Sequence, residues 1–152
     1  MTRPAGRWTI SNLLPGKYGV RAFNGVSYTD IVEVDLGEGE LKEVGFVYNP
    51  LPEHSVFAFP NPARSGTTIR FETPLAPLEA QVLIFDIAGQ LVRELTGNEM
   101  SSPAIGRYHA AWDLRNMRGE PVASGVYLFM VKVKGGSQEQ TAKVVKKLAV
   151  LK

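Results

Sequence analysis

The residues best placed to do chemistry lie in the loop "WDLRNMRGEPVASG", where Asp113, Asn116 and Glu120 bring oxygen-bearing side chains around one turn. Oxygen ligands on a loop can hold a hard cation such as calcium. The spacing of an EF-hand is absent, however, and Arg115 and Arg118 interleave positive charge among the ligands. Asp113 suits an Asx turn that satisfies loop amides better than it suits a metal. Gly119 and Gly125 read as positive-φ positions that turn the chain into the next strand.

The remaining inventory is sparse. His54 and His109 are the only histidines, neither belongs to an HExxH pair, and both read as solvated side chains. The turn serines, in Ser65-Gly66, Ser101-Ser102 and Ser124-Gly125, lack a G-x-S-x-G setting and a predictable histidine partner. Neither GxxxxGK[ST] nor GxGxxG occurs, so no phosphate loop is expected. Without cysteine, disulfides, thiolate metal sites and cysteine nucleophiles are excluded. The expectation is a protein that is not an enzyme, with no catalytic residue, metal or cofactor.

Charge narrows the partners. Seventeen basic residues against fifteen acidic ones leave a net charge of +2, too small a field to imply nucleic acid. Most of the imbalance falls in the last ten residues, where Lys143, Lys146, Lys147 and Lys152 have no acidic neighbour. Lysine on an edge strand also discourages aggregation, so this run has a structural reading beside a recognition one. No apolar run is long enough to span a membrane. The opening "MTRPAGRWTI" has no apolar h-region after its arginines, so an export signal would have to lie upstream of it.

The elements that must position these residues read as all-β. Glycine (15) and proline (10) recur at short intervals between segments of period-two alternation. Residues 1–48 contain four candidate strands: "RWTIS", the strand after the Pro15-Gly16 turn, "YTDIVEVDL" and "ELKEVGFVY", the last with Val44, Phe46 and Tyr48 on one face. "NPLPEH", residues 49–54, reads as a stiff linker because its prolines cannot join a ladder. Residues 55–152 give about seven strands: "SVFAF", "TTIRFET", "EAQVLIFDI", "GQLVREL", "RYHAAWDL", "GVYLFMVKV" and "QTAKVVKKLAVLK". The last could also form a helix with its lysines on one side. Its valines and the preceding "KGGSQ" turn favour a strand.

Four stretches now carry a resemblance: "FPNPARSGTTIRF", "VLIFDIAGQLVREL", "GRYHAAWDLRNMRGEPVASGVYLFMV" and "TAKVVKKLAVLK". In that order they resemble the type A C-terminal sorting domain of cargo of the bacterial type IX secretion system. That domain is itself similar to the Ig-like domain of flagellar hook-capping proteins. The resemblance implies a seven-stranded Ig-like sandwich at the end of an exported protein. Its final segment would be read by secretion machinery, and the domain can be removed as the cargo is anchored on the cell surface. Carried over, the sorting signal would lie in Lys143, Val145, Lys146, Lys147, Leu148, Val150 and Lys152. Pro60, Asn61, Pro62, Gly89, Trp112, Asp113, Gly119, Gly125 and Tyr127 would be scaffold.

"WTISNLLPGKYGVRAFNG" resembles the second half of a carboxypeptidase regulatory-like (transthyretin-like) repeat, and the strands that should precede Trp8 are missing. The fold expected is therefore two consecutive Ig-like or transthyretin-like β-sandwich modules, the first incomplete. An incomplete sheet leaves open edges, and strand addition from neighbouring copies would close them. The functional expectation is a secretion, sorting and surface-attachment module, extracellular or on the bacterial surface. The alternatives are a filament or sheath subunit assembling as a homo-oligomer by strand complementation, and a hook-cap-like assembly factor.

Overall fold

The computed structural model describes residues 8–23, 28–46, 49–137 and 139–152. The chain forms two compact units, residues 1–22 with 28–47 and residues 23–27 with 48–152.

In the first unit, β1 (Gly16–Val20) and β2 (Val32–Leu36) pair antiparallel, with Tyr18 opposite Val34 and Val20 opposite Val32. Tyr18, Val20, Val34 and Leu36 are half-buried while Lys17, Glu33 and Asp35 are exposed, as the alternation predicts, but Val32, of the same parity as Val34, is exposed. The Tyr18 hydroxyl donates to the Leu14 carbonyl and ties the turn to the strand. Two of the four expected strands do not form among the described residues: 8–11 and 41–46 carry no ladder. Trp8 and Phe46 instead stack, with centroids 6.1 Å apart. Arg7, Val47 and Tyr48, which belonged to those expected strands, lie outside the described residues. Alternation signals only that a segment could be half-buried; the ladder also needs a neighbour. No described residue of this unit is fully buried.

The second unit is a sandwich of eight strands, one more than the sequence suggests. They are β3 (Phe57–Phe59), β4 (Thr67–Glu72), β5 (Leu78–Phe85), β6 (Leu91–Thr96), β7 (Met100–Ala104), β8 (Arg107–Trp112), β9 (Gly125–Gly135) and β10 (Gln140–Val150). The unexpected one is β7, "MSSPA", whose Ser-Ser-Pro reads as a turn. As an edge strand it tolerates Pro103, which need not donate to a ladder. One sheet runs β3-β4-β8-β7 and the other β10-β9-β5-β6. The ambiguous terminal segment is a strand, paired with β9 over eleven positions from Gln140–Gly135 to Val150–Gly125. Gly136 (φ 75°) and Glu139 (φ 48°) make its turn, with Gln138 outside the described residues.

Inward positions alternate from both sheets. Ile69, Phe71, Ala110 and Trp112 meet Val82, Ile84, Tyr127, Phe129, Val131 and Leu148 in one core. The Trp112 and Tyr127 rings meet edge-on at 5.7 Å, while Phe71 stacks on Tyr108 at 5.3 Å. The segment 49–54, expected to be a stiff linker, supplies Leu51 to this core at 1% exposure. Pro52 is buried beside it, and a 3-10 turn (Glu53–Ser55) leads into β3.

Candidate functional site

The terminal strand β10 is an edge strand, and its two halves are held differently. Its C-terminal half is clamped by the Pro60-Asn61-Pro62 segment. Asn61 Oδ1 accepts from the Ala149 N–H at 3.0 Å, and its Nδ2 donates to the Lys147 carbonyl at 3.4 Å. Two residues on, the Ala63 N–H donates to the Ala149 carbonyl at 2.7 Å and the Leu151 N–H to the Ala63 carbonyl at 2.8 Å. The Lys152 N–H finishes the end on Ser124 Oγ at 2.9 Å. An asparagine amide offers the same donor and acceptor as a peptide unit. Asn61 therefore acts as one peptide of a strand, followed by the parallel bridge between Ala63 and Val150. The peptide bonds preceding Pro60 and Pro62 are cis. Asn61, a scaffold residue by the resemblance, finds its partners 86 and 88 residues away.

The clamp also fixes which way the backbone of β10 faces. Ala149 turns both its N–H and C=O to the clamp, so by strand alternation Thr141, Lys143 and Val145 turn theirs to the same open side. Among the described residues no strand pairs there.

The expected signal residues divide by strand parity. Lys143, Val145 and Lys147 point outward and are exposed, Val145 at 47%. Leu148 and Val150 point inward and are fully buried, and thus belong to the core. Lys146 shares the inward parity, sits opposite Phe129 and is half-buried. Lys152 is exposed beyond the strand. The resemblance grouped these seven residues; the sheet brings Lys143, Val145 and Lys147 together on one surface and separates off the others.

That surface continues across the sheet. On its outer face Val145 lies opposite Met130 and Met130 opposite Leu83; Lys147 lies opposite Leu128 and Leu128 opposite Phe85. Lys143 lies opposite Lys132. Leu83, Phe85, Leu128 and Met130 are half-buried, with Val126 exposed at 47% beside Ala149. An apolar band with lysines along one flank results, and neither the band nor the Lys143–Lys132 pairing could be read without the register.

Pro60, Trp112 and Asp113 line a shallow cleft of about 380 Å³, together with Thr67, Thr68 and Arg93 among others. Arg93 is already paired with Glu99 at 2.7 Å. The Asp113 loop uses its oxygens internally. Asp113 Oδ1 accepts from the Arg115 N–H at 3.1 Å, and Asn116 Oδ1 from the N–H groups of Arg118 and Glu120 at 2.9 and 3.0 Å. Trp112 Nε1 donates to the Arg115 carbonyl at 2.9 Å, so the loop closes over the buried indole. Gly119 (φ 80°) and Gly89 (φ 81°) occupy left-handed turn positions that favour glycine. Gly125, expected to share that role, is likewise at positive φ (158°), at the edge of that range. His54 is exposed and His109 is half-buried on the outer face of β8.

The Tyr127 hydroxyl donates to the Ala123 carbonyl at 2.7 Å. Burial, and secondly the negative charge of Asp86, raise its pKa above the ordinary tyrosine value.

A family model described as the FlgD Ig-like domain matches residues 61–137. The chain belongs to the FlgD Ig-like domain family. Among solved structures, it is similar to dimeric latent PorU from Porphyromonas gingivalis: 25% identity, 91% of this chain, 12% of that one and a TM-score of 0.57. It is also similar to PorZ, an essential bacterial surface component of the type-IX secretion system of the same organism. There the identity is 25%, the coverage 65% of this chain and 12% of that one, and the TM-score 0.42. The chain thus spans about one-eighth of the length of either protein. No curated protein matches it. Among the described residues no helix is long and apolar enough to cross a membrane.

Proposed function

We propose that residues 55–152 form a non-catalytic sorting and surface-attachment module of an exported bacterial protein, of the type A kind carried by type IX secretion cargo. The observation that carries this reading is the placement of Lys143, Val145 and Lys147. In the segment that the family resemblance identifies as the signal, these side chains face solvent while Ala142, Val144, Leu148 and Val150 anchor the strand to the core. A signal read by another protein needs that division: a fixed strand, with an accessible row on it. The likeness to PorU over 91% of this chain supports the same reading. The loop oxygens of Asp113 and Asn116, taken up by backbone amides, support a structural role for the best chemical candidates. The test is a reporter fused to residues 55–152 in a host with type IX secretion. Export supports the reading, and retention of a folded fusion inside the cell contradicts it.

The first unit favours a second reading for itself, completion by strands from outside. A two-stranded sheet is marginal in water on its own. Ile10, Leu14, Ile31 and Leu41 are exposed at 57, 78, 61 and 83%. Strand complementation between copies would cover such residues. A chain that stays monomeric and fully folded at high concentration contradicts assembly by this route.

A further inference from the structure

We infer that the open half of β10, Thr141 to Lys147, is a strand-addition site for an extended acidic peptide segment. The inference rests on the proposed role of β10 and adds the chemistry of its partner.

Three observations converge. The clamp by Asn61 and Ala63 ends at Lys147, so the backbone groups of Thr141, Lys143 and Val145 form an unpaired ladder edge among the described residues. An added strand would satisfy these groups in turn, as peptides do on other exposed sheet edges. The row of side chains beside that edge is basic. Lys143 and Lys147 are exposed on β10 and Lys132 on β9, and none of the three has a carboxylate within ion-pair distance among the described residues, while Lys134 of β9 stands opposite Glu79. Finally, Lys143 and Lys132 stand directly opposite each other on the outer face. Like charges at opposed sheet positions destabilise the fold. A local conflict of this kind is expected where function requires it.

The same charges decide between occupants. If two copies paired their β10 edges antiparallel about Val145, Lys143 of each would meet Lys147 of the other, and the repulsion opposes it. A strand with acidic side chains at alternate positions would place its carboxylates beside Lys143 and Lys147. Its intervening apolar residues would point to the opposite, inner face, on the side of Ala142 and Val144. Charge complementarity therefore selects an acidic segment over a second copy.

The full chain, isotopically labelled, is titrated with a blocked peptide of alternating valine and glutamate, and in parallel with its valine–lysine counterpart. The glutamate peptide is expected to shift the amide resonances of Thr141, Lys143 and Val145 and to protect them from hydrogen exchange. The lysine peptide should leave them in place. Val145→Pro removes an edge donor without removing a bond to β9 and should abolish binding. The double variant Lys143→Glu, Lys147→Glu, which leaves the backbone edge intact, should weaken binding about tenfold or more. Thermal melting confirms that each variant is folded. The inference is overturned if the glutamate peptide shifts nothing at these amides, if both peptides bind alike, or if a folded Val145→Pro chain binds unchanged. Concentration-dependent shifts of the same amides without peptide would assign the edge to a second copy and overturn it equally. Because only purified chain and peptide are present, failure here leaves the export reading standing. Failure of export, in turn, leaves a measured peptide contact standing.

Discussion

Asn61 and Ala149, 88 residues apart, are joined by a 3.0 Å hydrogen bond in which the side-chain amide of one takes the place of a strand peptide beside the other. This contact ties the entry of the sandwich to its last strand. It leaves only the residues ahead of it open at the edge. The Pro60-Asn61-Pro62 triplet is thus architecture, and it determines which part of the terminal strand is accessible.

Replacing Asn61 by alanine removes an acceptor for Ala149 and a donor for Lys147. The expected loss is about 1–2 kcal/mol, since the site is exposed and water can replace each partner. Hydrogen exchange should accelerate at Ala149 and Leu151 while the amide of Val131, deep in β9, keeps its protection relative to global unfolding. Equal acceleration at both would show that the clamp is not a local device.

Trp112 is 1% exposed, packs edge-on against Tyr127 and carries the loop carbonyl of Arg115 on its indole nitrogen. Trp112→Ala should cost about 3–5 kcal/mol in denaturant unfolding. A loss below 1 kcal/mol, as an order-of-magnitude bound, would contradict its place in the core.

At Gly135 a Cβ would fall on the carbonyl oxygen of Pro77, which also accepts the Gly136 N–H at 3.0 Å. Gly135→Ala should destabilise by roughly 1–3 kcal/mol through forced displacement of the β4–β5 connection. An unchanged melting temperature would show that the two segments are not in contact.

The raised pKa of Tyr127 gives a pH dependence of definite sign. The folded state holds the phenolic proton more tightly than the unfolded state, so this contribution to stability is complete below the ordinary tyrosine value and is lost as pH rises through the folded one. Stability should therefore fall in the alkaline range. Tyr127→Phe, which removes the titrating group, should fall less steeply over the same interval. Parallel curves for the two chains would contradict the assignment.

Most of the second unit was legible because burial on one face leaves a period-two record. In β4, Ile69 and Phe71 alternate with Arg70 and Glu72, and in β8, Tyr108, Ala110 and Trp112 alternate with Arg107, His109 and Ala111. β7 left no such record, because an edge strand of serines and a proline buries little. In the first unit, alternation at 41–46 marks half-burial of Val44 and Phe46 without a ladder, since pairing depends on a neighbour that the local pattern cannot encode. The site was legible as a segment and not as a surface. Parity removed Leu148 and Val150 to the core, and register created the Lys143–Lys132 pair. Asn61 escaped because its partners lie at the other end of the sandwich sequence.

The central claim, that the exposed row on β10 is what a secretion apparatus reads, is tested most directly by reporter export. The fraction of reporter outside the cell is measured for a fusion to residues 55–152 and for the same fusion carrying Lys143→Glu and Lys147→Glu, both verified as folded. The account predicts export of the first and retention of the second. Retention of the unmodified fusion, or equal export of the two, would contradict it.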